Sequence, residues 1–113
     1  MQTGNAGESA AAEYLLNKGY EILERNYTHG HLEVDLIVRK ENRLVFVEVK
    51  TRSNCDFGFP EEFVDSKKRG NVLRLANHYI FKFNWQGNIR FDIIALTGTG
   101  LERELIHFED AFY

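Results

Sequence analysis

A carboxylate and an ammonium two residues apart, Glu48 and Lys50, stand in the apolar run LVFVEVKT (44–51), and a second carboxylate, Asp35, stands in the preceding apolar run LEVDLIVR (32–39). Both runs read as strands. In the later run Leu44 and Phe46 point one way and Val45, Val47 and Val49 the other, the pattern of a strand covered on both faces inside a sheet. Glu48 interrupts that burial. An unpaired buried charge is costly, so the carboxylate must meet a cation, a set of donors or a metal.

Side chains of a strand repeat every second residue, so Glu48, Lys50 and Arg52 share a face, as do Glu33, Asp35 and Ile37 on the preceding strand. The polar stretch Lys40-Glu41-Asn42-Arg43 is short enough for a hairpin. A loop of two or four residues places Asp35 opposite Glu48 and Glu33 opposite Lys50, whereas an odd loop separates them onto opposite faces. Two carboxylates across a ladder repel each other, and a divalent cation reverses that sign. Mg²⁺ takes one or two carboxylates, keeps waters and leaves room for phosphate oxygens. A lysine beside the glutamate can orient or activate an attacking water and offset phosphoryl charge. Together these are the parts of metal-assisted phosphodiester hydrolysis. The plainer use of the same residues is an ion pair of Glu48 with Lys50 at a strand end and an exposed Asp35.

The elements that must position these groups follow from capping and periodicity. Asn5 is placed to cap a helix running to about Lys18, and Gly19 stands where a C-terminal cap glycine belongs. Tyr20 to Tyr27 alternates as a short strand with Tyr20, Ile22 and Glu24 on one face, and Gly30 breaks it. Leu32–Arg39 and Leu44–Thr51 follow as strands, then the loop SNCDFGFP (53–60). A long helix covers roughly Glu61 to Phe83, with Phe63, Val64, Leu73, Ala76, Tyr79, Ile80 and Phe83 as its apolar face. Gly70 weakens it, which shifts its regular start toward Asp65 or Ser66. Asn88–Leu96 reads as a fourth strand and Leu105–Phe108 as a fifth, edge strand. The whole, residues 1–113, reads as one α/β domain with a mixed central sheet of four to five strands flanked by two helices.

Composition fits that frame. The chain has 113 residues, 43% hydrophobic with 9 Phe and 5 Tyr, enough to bury a core and too apolar for disorder. Cys55 is the single cysteine, so neither an intramolecular disulfide nor a thiolate zinc cluster is available. No leader pattern opens the chain and no apolar run is long enough to span a bilayer, so a cytoplasmic protein without a membrane partner is expected. The net charge of -3 argues against a generic nucleic-acid binder. Its distribution does not, since the segment from Lys50 to Arg74 carries +2 while the remainder carries -5.

Asp35 followed on the next strand by Glu48-x-Lys50 resembles the PD-(D/E)xK signature of the restriction-endonuclease-like superfamily. The stretches GESAAAEYLLNKGYEILERNY, LEVDLIVRKENRLVFVEVKTRS, FGFPEEFVDSKKR, RFDIIAL and IHFEDAF together resemble the uncharacterised YraN-type family along nearly the whole chain. That family is related in fold to archaeal Holliday-junction resolvases. The resemblance implies Asp35 and Glu48 as metal ligands, Lys50 as the catalytic lysine, and Glu8, in the first helix, as a further acid reaching the site. The family pattern has Gly-Glu-Ile-Asp where this chain has Leu32-Glu33-Val34-Asp35, which predicts a changed backbone beside the site.

Two uses are open to Glu8, because Asn5 to Glu8 is also the spacing of a capping box and an early acid suits the helix dipole. Lys67, Lys68 and Arg69 make a basic run that serves either as a solvated face or as phosphate contacts. Arg52 continues the Glu48–Lys50 face and is the better placed phosphate clamp. Phe57, Phe59 and Pro60 form an aromatic lip or simply pack on the core. Asp92 beside Arg90 reads as structural, and His29, His31, His78 and His107 lack metal-ligand spacing. The function expected from sequence is Mg²⁺- or Mn²⁺-dependent endonuclease cleavage of DNA, with branched DNA as the substrate and a two-fold homodimer as the form that suits it. The rival is a non-catalytic module on the same fold that binds nucleic acid or protein.

Overall fold

Seven elements follow one another as α1 (Gly4–Asn17), β1 (Glu21–His29), β2 (Leu32–Lys40), β3 (Arg43–Arg52), α2 (Ser66–Phe83), β4 (Asn88–Thr97) and β5 (Glu104–Phe108), in a computed structural model that describes residues 4–52, 66–98 and 103–111. The strands form one mixed sheet in chain order, β1-β2-β3-β4-β5. Only β3 and β4 are parallel; the other neighbours are antiparallel. A parallel pair needs a crossover, and α2 lies on it. The expected α/β class, with five strands and two helices, is what the chain adopts.

β3 divides its side chains as its alternation predicts. Leu44 and Phe46 join Leu32, Val34, Ile37, Ile93 and Ala95 under Val72, Leu75, Ala76 and Tyr79 of α2. Val45 and Val47 join Leu36, Val38 and Ile94 under Ala11, Ala12 and Leu15 of α1. The sheet therefore separates two apolar layers, one beneath each helix. Val72 and Leu75, both fully buried, belong to the apolar face of α2 beside the expected Leu73, Ala76, Tyr79 and Ile80. Phe83 is 51% exposed and only flanks that face. The described helix runs from Ser66 through Gly70 without a break. Phe63 and Val64 lie outside the described residues.

Gly19 closes α1 with φ 94°, the Tyr20 amide donating to the Leu15 carbonyl at 3.0 Å and the Gly19 amide to Leu16 at 3.0 Å, a Schellman motif. At the other end the expected cap fails. α1 already includes Gly4, so Asn5 sits inside the helix and Glu8 falls beyond its first turn. The β1 expectation needs correction too. A bulge between Ile22 and Glu24 slips the alternation, so Tyr20 and Ile22 pack under α1 while Glu24 accepts a 3.3 Å hydrogen bond from the Tyr79 hydroxyl of α2.

Candidate active site

The β2–β3 hairpin has a two-residue loop, with Lys40 paired to Arg43, Arg39 to Leu44 and so on to Leu36 with Val47. This is the even-loop register, which puts Asp35 and Glu48 next in line. There the ladder stops. On its other side the β1–β2 pairing passes from Arg25–Leu36 to Tyr27–Val34, skipping Asn26 and Asp35, and Asn26 takes a left-handed φ of 51°. Leu32 and Val34 pack under α2 with Ile37, whereas Leu36 and Val38 pack under α1, so the side-chain alternation shifts by one residue at Asp35. The expected shared face of Glu33, Asp35 and Ile37 is therefore broken, and no Glu33–Lys50 pair forms in the described ladder. Asp35 turns into the gap between the strands, where its Oδ2 accepts the Val49 amide at 2.8 Å. Leu32, at the position of the family's glycine, is an ordinary strand residue paired with His29 and buried in the core.

Glu48 continues the unbroken parallel ladder, opposite Ile93, with Lys50 opposite Ala95. Ile93 and Ala95 both face α2, so Glu48 and Lys50 do as well. Glu48 is only 5% exposed. Its Oε2 lies 3.3 Å from the Lys68 ammonium of α2, and its Oε1 is buried with no hydrogen-bond partner among the described residues. Burial pushes its carboxyl up to about 7, the charge of Asp35 adds to this, and Lys68 and Lys50 oppose it.

Glu8 arrives from the opposite side. α1 comes down on β3 at Gly7, where an added Cβ would lie 2.5 Å from the Thr51 methyl and 3.4 Å from Leu96. Only glycine permits that approach, and Glu8 follows it directly. Burial raises the Glu8 carboxyl above its ordinary range; Asp35 adds to this through its charge and a carboxyl hydrogen bond, Glu33 through its charge, and a hydrogen bond with Asn26 opposes it. Glu8 therefore has Asn26, Glu33 and Asp35 as its neighbours. Asp35 thus interacts with Glu8 of α1 and with Glu48 on the α2 side.

Of the basic run, Lys67 faces solvent while Lys68 reaches Glu48. The Arg52 side chain lies outside the described residues, as do Cys55, Phe57, Phe59 and Pro60. Among the described residues no group of three His, Cys, Asp or Glu side chains surrounds a cation-sized point; Asp35 and Glu48 are near enough for the charge of one to raise the carboxyl of the other. The sequence pointed Lys68 at phosphate and missed its pairing with Glu48. The signal was present, because a crossover helix starts near the C-terminal end of the strand it leaves. Asn26 was missed as well, since its backbone conformation has no sequence signature in a strand.

A second polar cluster lies on the α1 face of the sheet. Asp92, paired with Val47 across the β3–β4 ladder, is fully buried. It accepts hydrogen bonds from Arg90 Nε and Nη2, each at 2.8 Å, from the Asp110 amide at 3.0 Å, and from His107 Nε2 at 2.7 Å. Tyr14 of α1 meets His107 Nδ1 at 3.1 Å, and Arg90 reaches the Tyr20 hydroxyl at 2.9 Å. Asp92 is structural, as expected; that it ties α1, β4 and β5 together was not legible.

No described helix is long and apolar enough to cross a membrane. The model of the uncharacterised protein family UPF0102 matches residues 7–96. A UPF0102 protein of Flavobacterium psychrophilum is 47% identical over 110 residues, covering 97% of this chain and 92% of the relative. One from Bacteroides thetaiotaomicron is 46% identical over 112 residues, covering 99% and 93%, and one from Clostridioides difficile is 44% identical, covering 98% and 96%. Among solved structures, Pyrococcus furiosus SfsA in complex with Ca²⁺ matches with a TM-score of 0.43 and 17% identity, over 94% of this chain and 62% of that one. That likeness is too slight to bear on chemistry.

Proposed function

The chain belongs to the uncharacterised protein family UPF0102, whose name carries no activity, and from the chemistry of its own site we propose a metal-dependent endonuclease that hydrolyses DNA phosphodiesters. The observation that carries this reading is the Glu48 carboxylate, 5% exposed, facing the charge of Asp35 and keeping one oxygen unpartnered among the described residues. The Lys68 ammonium meets only Oε2 of Glu48, so a cation that also reaches Oε1 and Asp35 would offset the repulsion between the two acids. A hard divalent ion fits this donor set, so Asp35 and Glu48 would hold Mg²⁺ or Mn²⁺, which supplies a water of lowered pKa and neutralises phosphoryl charge.

The remaining roles fall to residues around that pair. Lys50, on the Glu48 face, orients the attacking water and meets developing charge. Glu8 acts through Asp35 or receives a proton from water. Lys67 and Arg52 take backbone phosphates, which position DNA without reading its sequence. The reading includes a restriction-endonuclease-like fold, branched DNA as substrate, and a two-fold dimer that would offer two sites to a four-way junction. The test is cleavage of branched, duplex and single-stranded DNA and of RNA with Mg²⁺ or Mn²⁺, comparing wild type with Glu48→Gln and Lys50→Ala. Metal-dependent cutting lost in both variants is expected. No cutting of any substrate under either metal overturns the reading, and binding without cutting favours the non-catalytic module.

A further inference from the structure

Lys68 stands in the first described turn of α2 (Ser66–Phe83), and its ammonium is directed at β3. The Lys68 ammonium lies 3.3 Å from Glu48 Oε2, with 34% of the lysine side chain exposed and only 6% of the glutamate's. Lys50, on the same face of β3, is not at ion-pair distance from Glu48, so the ammonium nearest the buried carboxylate comes from α2.

A divalent ion on Glu48 and an ammonium at that distance repel each other strongly at such short range. Lysine is a point charge on a flexible four-carbon stem, and the exposed part of this one gives the ammonium a route to solvent without crossing the core. We infer that Lys68 is the resident counter-cation of the site: it holds Glu48 in the metal-free protein, a divalent ion displaces it, and the displaced ammonium takes a phosphate of the nucleic acid. Metal and nucleic acid then bind with positive coupling, and linkage makes that coupling equal in both directions. The inference rests on the metal-dependent reading above and adds what neutralises Glu48 before the metal arrives.

The test is a calorimetric titration of Mn²⁺ into the full chain well above neutral pH, where protons do not compete for Glu48. Wild type, Lys68→Met, Lys68→Arg and Glu48→Gln are compared. Lys68→Met is expected to bind Mn²⁺ about fivefold tighter than wild type, the scale of a partly exposed ion pair, and Lys68→Arg to behave as wild type. Equal or weaker binding by Lys68→Met overturns the inference and leaves the metal reading standing. Absence of any Glu48-dependent Mn²⁺ binding in wild type overturns both. Should Lys68→Met not fold, the Lys68 side-chain NMR resonances of wild type decide the matter. They shift on Mg²⁺ addition if the ammonium is displaced, and an unmoved Lys68 signal overturns the inference.

Discussion

Asp92 and Glu48 are buried carboxylates on neighbouring strands of one sheet, a single residue apart along the ladder and on opposite faces. Their surroundings differ in one respect. Asp92 receives the Arg90 guanidinium through two nitrogens, His107 Nε2 and the Asp110 amide. Burial pushes its carboxyl up, but those donors outweigh it and hold it below the ordinary range. Among the described residues Glu48 has one ammonium at 3.3 Å, a second acid as neighbour and an oxygen without a hydrogen-bond partner, and its carboxyl rises to about 7. Equal burial thus gives opposite shifts, and the number of donors decides the sign. The saturated carboxylate holds the fold together; the other is held short of donors, the condition in which a ligand can gain by supplying them.

Removing Asp92 is the largest test of this contrast. Asp92→Ala removes the shared acceptor of Arg90, His107 and the Asp110 amide, leaving Arg90, among the described residues, only Glu109 at 3.7 Å and the Tyr20 hydroxyl, and is expected to cost about 3 kcal/mol in urea denaturation. A loss comparable to that of an exposed substitution would break the comparison. Next comes Glu48→Gln. Because the folded carboxyl is raised from 4.5 to about 7, the fold favours the protonated form. The Glu48 contribution to stability should then be fully present below the ordinary value, fall by about 3 kcal/mol as pH climbs through that window, and level off above it. Glu48→Gln should show no such slope and be the more stable protein at alkaline pH. A wild-type curve that is flat between those values would remove the electrostatic basis of the site. The smallest effect is expected at the edge of the saturated cluster, where Tyr14→Phe deletes a hydroxyl from His107 and should cost about 1 kcal/mol by thermal denaturation, with metal binding unchanged.

Much of this was legible in the sequence because it depends on local pattern. β3 announced its two buried faces through alternation and Gly19 announced a helix end, whereas the parity of the Lys40–Arg43 hairpin, which decides whether Asp35 stands in line with Glu48, was left open. What stayed hidden depends on contacts across the fold or on backbone irregularities without a compositional mark. The bulge near Leu23 and the slip at Asp35 each move a side chain to the other face while the sequence continues to alternate. Asn5 has the chemistry of a cap and the right spacing, yet the helix starts ahead of it. Tyr14, Asp92 and His107 become neighbours only once α1, β4 and β5 are assembled.

The hydrogen bond from the Val49 amide to Asp35 gives the main chain of β3 a share in the site. An amide that would serve a neighbouring strand is tied instead to a side chain that a ligand would also want. Any ligand that draws on Asp35 therefore pulls against the sheet itself, and the stiffness of the central strand becomes one of the quantities that set how tightly the site can hold its guest.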